Sequence, residues 1–374
     1  MFAYFAVIFL GIIGDYLKLV GNWRLIILLI VMLFLCFGYM TGSDWRQYEI
    51  MYDYVSTDSS FMFFTEPGYY LYMYIGKLLS LDFWTFFITT KCILCYLILR
   101  CIYRLLPESF FFSLSVFLCF FAFAWFIDNP MRNLIACTIY LYGYKYIEEQ
   151  KCIKYILVCI IASSFHFTAI VLLPVYWLAN TKIRSSVLVI AYILLNIILF
   201  IFPEKINAIF SNIGGEIGQR LLSYFSGDKN EYITSRGFSL GLLFRYFIFY
   251  LLITYRKQVE KKFGSPFFYL IVLSIFIHRI GVNIPIFTRF VYYYAIPFVV
   301  YVSYSCTHFS LKSRRCYYIF IFIMILFMTK SLITSDYRYI PYSNYLEYIM
   351  NVDKPSYEER FNYNYENSPY NKDE

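Results

Sequence analysis

Charge is scarce in this chain. Only 15% of its residues are Asp, Glu, Lys or Arg, against about 25% in ordinary soluble domains. That excludes a large water-facing surface. Histidine is rarer still, with three in 374 residues, and no Cys/His spacing suggests a metal centre. The glycine and sequence signatures of soluble catalysis are missing too. There is no Walker loop, no dinucleotide fingerprint, no HExxH and no GxSxG. No ATP-driven or nucleotide-sugar-binding module is visible. An enzyme made from this chain needs a substrate that is already activated and already in the membrane.

Two further absences concern the ends and the repeats. No basic n-region and no small-residue cleavage site accompany the first apolar run, so residues 1–14 are expected to be a retained span. Apolar and polar residues do not alternate with period two. The runs at 25–37 and 319–328 are continuous, which favours helices over a closed barrel, the two structures that satisfy every backbone group in hydrocarbon. No internal repeat is visible.

What is present is apolar. Sixty per cent of residues are hydrophobic and 23% are aromatic. A core that large has no room in one soluble domain, so lipid is the solvent. The chain reads as an all-α, polytopic integral membrane helix bundle of about twelve segments. Candidate spans are 1–17, 24–41, 83–101, 109–127, 132–148, 152–164, 167–179, 185–202, 237–255, 265–281, 284–304 and 316–333. Residues 1–333 form the bundle, with outer loops at 42–82 and 203–236. Residues 334–374 form an extracytoplasmic tail expected to be partly disordered.

The formal net charge of +8 is scattered through short loop clusters, which is how topology is written and not how nucleic acid is bound. The clusters are Lys18/Arg24, Arg100/Arg104, Lys145/Lys151/Lys154, Lys182/Arg184, Arg256/Lys257/Lys261/Lys262 and Lys312/Arg314/Arg315. Placing all of them inside requires two crossings between Lys154 and Lys182, a hairpin or re-entrant pair with His166 at its outer tip. Both chain ends then lie outside. The ten cysteines sit in or beside apolar runs. Cys92 and Cys95 have CxxC spacing but no second pair, so ordinary packing is expected.

Charges at the ends of spans are functional candidates by default. Arg132 opens one span after Pro130. Arg279 and Arg289 bracket a short outer turn, with His278 beside them, while Arg245 and Lys91 sit deeper. Guanidinium forks match phosphate oxygens in pairs. The alternative is that these groups snorkel to the interface or pair with Asp128 or Glu66. His166, flanked by Ser163, Ser164 and Thr168, suits either a general base or a hydrogen-bonded cap. Asp44, Glu49, Asp53 and Glu66 are outer carboxylates; Glu49, together with Asp58, is expected to be a plain solvated charge.

The order of features resembles the EpsG/Wzy group of polysaccharide polymerases. The resembling pieces are Gly42-Ser43-Asp44 with Tyr48 and Tyr52, Glu66-Pro67-Gly68-Tyr69, Arg132-Asn133-Leu134-Ile135-Ala136 and the run Ala162 to Ala169 around His166. Arg289-Phe290 with Tyr292–Tyr294, and Pro341-Tyr342, complete the set. One departure is that 37–41 supplies no Arg before the Gly-x-Asp element. The resemblance implies an O-antigen, capsule or exopolysaccharide polymerase on the outer face of a bacterial inner membrane. Its substrates would be undecaprenyl-diphosphate-linked oligosaccharides, it would need no cofactor, and its partners would be a chain-length regulator and a flippase. Arg132 and Arg289, helped by Arg279, would take the departing diphosphate. His166, with Asp44 or Glu66, would orient and deprotonate the acceptor hydroxyl, and Tyr69 and His278 would contact substrate. A flippase or transporter, and an O-antigen ligase-like glycosyltransferase, are the competing classes.

Overall fold

A computed structural model of the chain describes residues 1–55, 66–201, 239–284, 287–349 and 354–369. Helix α1 is Phe2–Tyr16, α2 Asn22–Cys36, α3 Asp44–Tyr54, α4 Pro67–Leu78, α5 Phe83–Leu105 and α6 Pro107–Phe126. They are followed by α7 Met131–Gly143, α8 Lys145–Glu148, α9 Cys152–Phe165, α10 Phe167–Ala179 and α11 Ser185–Ile201. Next come α12 Leu240–Thr254, α13 Arg256–Phe263, α14 Ser265–Asn283, α15 Thr288–Val291 and α16 Ala295–Tyr304. The last are α17 Leu311–Ser335, α18 Leu346–Ile349 and α19 Tyr357–Asn367. Two short strands, β1 Gly38–Tyr39 and β2 Ser343–Asn344, pair antiparallel with Gly38 opposite Asn344.

The fold is all-α and membrane-embedded in character. Four helices, Phe83–Leu105, Pro107–Phe126, Ser265–Asn283 and Leu311–Thr334, are long and apolar enough to cross a bilayer. Six shorter apolar helices accompany them: α1, α2, α9, α10, α11 and α12. Side-chain exposure agrees with lipid as solvent. Helix α11 leaves Ile190, Ile193, Leu194, Ile197 and Phe200 about half exposed or more, a continuous apolar face that water would penalise.

Several boundaries differ from the sequence expectation for local reasons. Helix α2 stops at Cys36 because β1 begins two residues later. The span expected at 132–148 breaks at Tyr144 into α7 and α8, and that expected at 284–304 into α15, a 3-10 turn at Tyr292–Tyr294 and α16. Helix α17 starts a turn early because Ser310 caps it, its Oγ accepting from the Ser313 N–H at 3.4 Å. The expected outer loop 42–82 contains α3 and α4, and the loop 203–236 lies outside the described residues, as does Asp58.

The chain divides into two compact units. Unit 1 is Met1–Gly143, Ile156–Ile170 and Val299–Glu374; unit 2 is Tyr144–Tyr155 and Val171–Phe298. Within unit 1, α1 packs on α6 and α2 on α5. Asp82 caps α5 by accepting from Thr85 N–H at 3.1 Å and Thr85 Oγ1 at 2.5 Å. In unit 2, α14 is the centre, touched by α10, α11, α12 and α13.

Part of the tail is helical: Ser356 and Glu359 form a capping box that starts α19. Asn364 Nδ2 then donates to the carbonyls of Tyr337, Arg338 and Pro341. Tyr342 stacks on Phe34 at 4.5 Å and donates its hydroxyl to Phe34 O at 2.7 Å, and Tyr4 donates to Tyr339 O at 2.7 Å. The tyrosines that make this segment look polar in composition are the groups that fasten it. Glu49, expected to be a solvated charge, is half-buried and paired with Arg360 of α19 at 2.7 Å.

Candidate active site

Glu66 stands at the mouth of α4, where Pro67 occupies the first turn and needs no N–H partner. Its carboxylate does not cap its own helix. Oε1 instead lies 2.7 Å from His166 Nδ1 and accepts from the Phe167 N–H at 3.1 Å, while Oε2 accepts from Arg132 Nη1 at 2.9 Å. One carboxylate therefore joins three parts of unit 1. His166 occupies the single residue between α9 and α10, with its N–H on Ala162 O and its carbonyl receiving Ala169 N–H, both at 3.0 Å. The helix break is what turns the imidazole toward Glu66.

Close packing sets the approach of α4 to the end of α9. A Cβ added at Gly68 would sit 2.3 Å from Ser164 Oγ and 3.0 Å from the Ser164 carbonyl carbon. Only glycine lets the two segments meet at this separation. Beneath them, the Arg132 guanidinium lies over the Tyr48 ring at 5.5 Å, and Tyr48 and Tyr69 pack with centroids 5.5 Å apart. Both tyrosines are buried. Burial pushes the Tyr48 hydroxyl up to about 12, so it stays neutral.

Electrostatics and hydrogen bonding fix the protonation pattern. Burial pushes the Glu66 carboxyl upward, but the His166 hydrogen bond, the Arg132 charge and the Phe167 N–H outweigh it, and the net shift is downward. An ionised Glu66 accepts the proton on Nδ1, so Nε2 is the nitrogen left for another partner. Nε2 is buried and has no hydrogen-bond partner among the described residues. A carboxylate-held imidazole with a vacant basic nitrogen is the arrangement of a general base.

A second polar cluster adjoins the start of α3. Arg338 Nη1 donates to Asp128 Oδ1 at 2.8 Å and to Ser43 Oγ at 3.0 Å, and its Nε donates to both oxygens of Asp336. Ser43 Oγ also reaches Asp128 at 3.1 Å and Asp44 at 3.4 Å. Gly42 makes this possible. Its φ is +79°, and a Cβ there would lie 2.1 Å from Ile127 O. Asp128 is pushed up by burial, with Arg338 only partly opposing that.

Of the residues singled out in the sequence, His166, Arg132 and Glu66 come together. Glu66 has its oxygens occupied by protein donors. Asp44 lies one helical turn before Tyr48, in the Arg338 cluster. Tyr69 is fully buried and presents no face for stacking a sugar. Arg279, His278 and Arg289 belong to unit 2. Arg279 is buried and bonded to Asn196 and Asn283, His278 is half-buried beside it, and Arg289 is exposed on α15. Arg338 was missed, because the residue it meets is 210 positions away and its only local signal is a charged Asp-Tyr-Arg run directly after a span.

With this geometry in hand, the family model described as the EpsG family matches residues 22–344. The chain belongs to the EpsG family. The match opens with α2 and closes with β2, so it includes the Glu66–His166–Arg132 site and the Arg338 cluster. No curated protein and no solved structure matches the chain. EpsG-family membership points to a membrane protein of the polysaccharide-polymerase type, and so to a polymerase-type glycosyltransferase.

Proposed function

We propose that this EpsG-family protein polymerises oligosaccharide repeat units carried on undecaprenyl diphosphate. The reaction takes place at the extracytoplasmic face of a bacterial inner membrane that about twelve segments of the chain cross. The observation that carries this is the vacant Nε2 of His166, held by Glu66 and backed by Arg132.

The chemistry follows from those atoms. His166 Nε2 accepts the proton of an acceptor sugar hydroxyl as its oxygen attacks the anomeric carbon of the donor glycan. The bond from that carbon to the diphosphate breaks, and the diphosphate leaves with the electron pair. No nucleotide or metal is required, because the leaving group is already activated. Glu66 fixes the tautomer and stabilises the imidazolium that forms, as a carboxylate does for a basic histidine. Arg132 uses one Nη on Glu66, and its remaining exposed face, 27% of the side chain, is turned to the substrate anion. Arg279 and Arg289 are the proposed diphosphate ligands of unit 2, with His278 as a helper and Asp44 as a hydroxyl partner. A chain-length regulator and a flippase are the proposed partners.

Deletion of the gene tests the class. Loss of a polymerase leaves single repeat units on the final acceptor. Units trapped inside on their carrier would identify a flippase instead, and polymer retained on the carrier would identify a ligase.

A further inference from the structure

Unit 2 holds a polar cluster that this mechanism uses only in part. Helices α11, α12 and α14 contain no Asp or Glu, yet two guanidinium groups are buried among them. Arg245 is 5% exposed and lies over the Phe298 ring at 4.4 Å, and its Nη1 is buried with no hydrogen-bond partner among the described residues. Arg279, 6% exposed, donates Nε to Asn196 Oδ1 at 2.6 Å and Nη1 to Asn283. Asn196 Oδ1 also accepts from Tyr246 at 2.5 Å, and Asn283 Nδ2 is tied to Leu199 O at 3.3 Å. These amides orient the guanidinium and cancel none of its charge. The Tyr192 hydroxyl and His278 Nδ1 are likewise buried without partners among the described residues. Each lies within Coulombic reach of both arginines.

The contrast with the other arginines is what gives this meaning. Arg132, Arg338 and Arg360 in unit 1, and Arg256 in unit 2, each meet a carboxylate. Arg245 and Arg279 have none among the described residues of unit 2. A guanidinium does not shed its proton at ordinary pH, and an uncompensated charge in an apolar setting is strongly unfavourable. The cluster also sits at one level. Asn196, Arg245 and Arg279 are each four to five residues from one end of their helices. Arg279 lies about 15 Å along α14 from Tyr269, the residue that meets Arg256.

We propose that Arg245, Arg279, His278 and Tyr192 form a binding pocket for a phosphate-bearing headgroup, such as the diphosphate of a lipid carrier. Two guanidinium groups without a carboxylate partner among the described residues of unit 2, with an imidazole and a phenol within Coulombic reach of both, concentrate double positive charge, which suits a phosphate dianion better than a single carboxylate. The identity of the lipid rests on the polymerase function above; the anion site does not.

The test uses the purified full chain in detergent, with thermal shift and direct titration as readouts. The probes are farnesyl diphosphate, inorganic diphosphate and phosphatidylglycerol in mixed micelles. The wild type is expected to bind at least one probe and melt higher in its presence. R245Q should weaken that binding about tenfold or more, and R245K should recover part of it. The ligand-free R245Q protein should melt no lower than wild type, because an unpaired charge has been removed. A preference for farnesyl diphosphate marks a lipid carrier, equal binding of inorganic diphosphate marks the free anion, and binding of phosphatidylglycerol marks a membrane phospholipid. Unchanged binding by R245Q, or no binding of any probe by wild type, overturns the pocket. If the pocket holds while gene deletion leaves the glycan ladder intact, the polymerase function fails and the anion site stands.

Discussion

Glu66 shows how much one side chain decides at the residue scale. It is 16% exposed and accepts from Arg132, His166 and the Phe167 N–H. Its carboxyl is held below its ordinary range, so the unfolded chain binds more protons than the folded one between the two values. The stability it contributes is therefore complete above its unfolded value, about 4.3, and is lost as pH falls through the lower folded value. Glu66→Gln is expected to destabilise the protein by about 1–3 kcal/mol at pH 7, and the deficit should shrink toward zero in acid. Melting curves of the two proteins from pH 7 down to pH 3 check this; a deficit independent of pH contradicts it. Arg132, His166 and Glu66 were each legible in the sequence as candidates. Glu66 as their bridge was not, because its partners lie 66 and 100 residues away and no local pattern encodes such a meeting. Glu49 was misjudged for the same reason: the Arg360 that pairs with it is 311 residues on.

The meeting of α4 with the end of α9 is the critical contact at the element scale. The break at His166 was readable, since two apolar runs too short to span are separated by Ser163, Ser164 and His166. Gly68 was readable only as part of a motif; its role is steric, leaving room for Ser164. Gly68→Ala should therefore push α4 off α9, lengthen the 2.7 Å contact between Glu66 and His166, and cut polymerisation tenfold or more without altering any charge. Adding Ser164→Ala to that variant removes the nearest atom, Ser164 Oγ, and should restore part of the activity. Glycan chain length in cells carrying the single and double variants reads this out, and an active single variant contradicts it. The helix in the tail, α19, was illegible for a compositional reason. A Tyr- and Asn-rich segment resembles disorder in its residue usage, whereas here those residues hydrogen-bond backbone carbonyls and stack on α2.

For the whole molecule, the class was the most legible property. Low charge, continuous apolar runs and exposed apolar faces such as that of α11 belong together only in lipid. The number of crossings was less legible, because α9, α10 and α15 are broken or short and hydropathy does not distinguish a crossing from a re-entrant turn. The division into two units was not visible at all, since the chain passes between them four times without a linker. The catalytic claim for the whole chain rests on an imidazole held by Glu66 at Nδ1, with Nε2 left without a partner among the described residues. Polymerisation of a purified lipid-linked repeat unit by the isolated protein, comparing wild type with His166→Ala at equal folded concentration, measures that claim directly. The account predicts a loss in rate of about 10² or more, with lipid-linked substrate still bound. A variant that extends chains at the wild-type rate would contradict it.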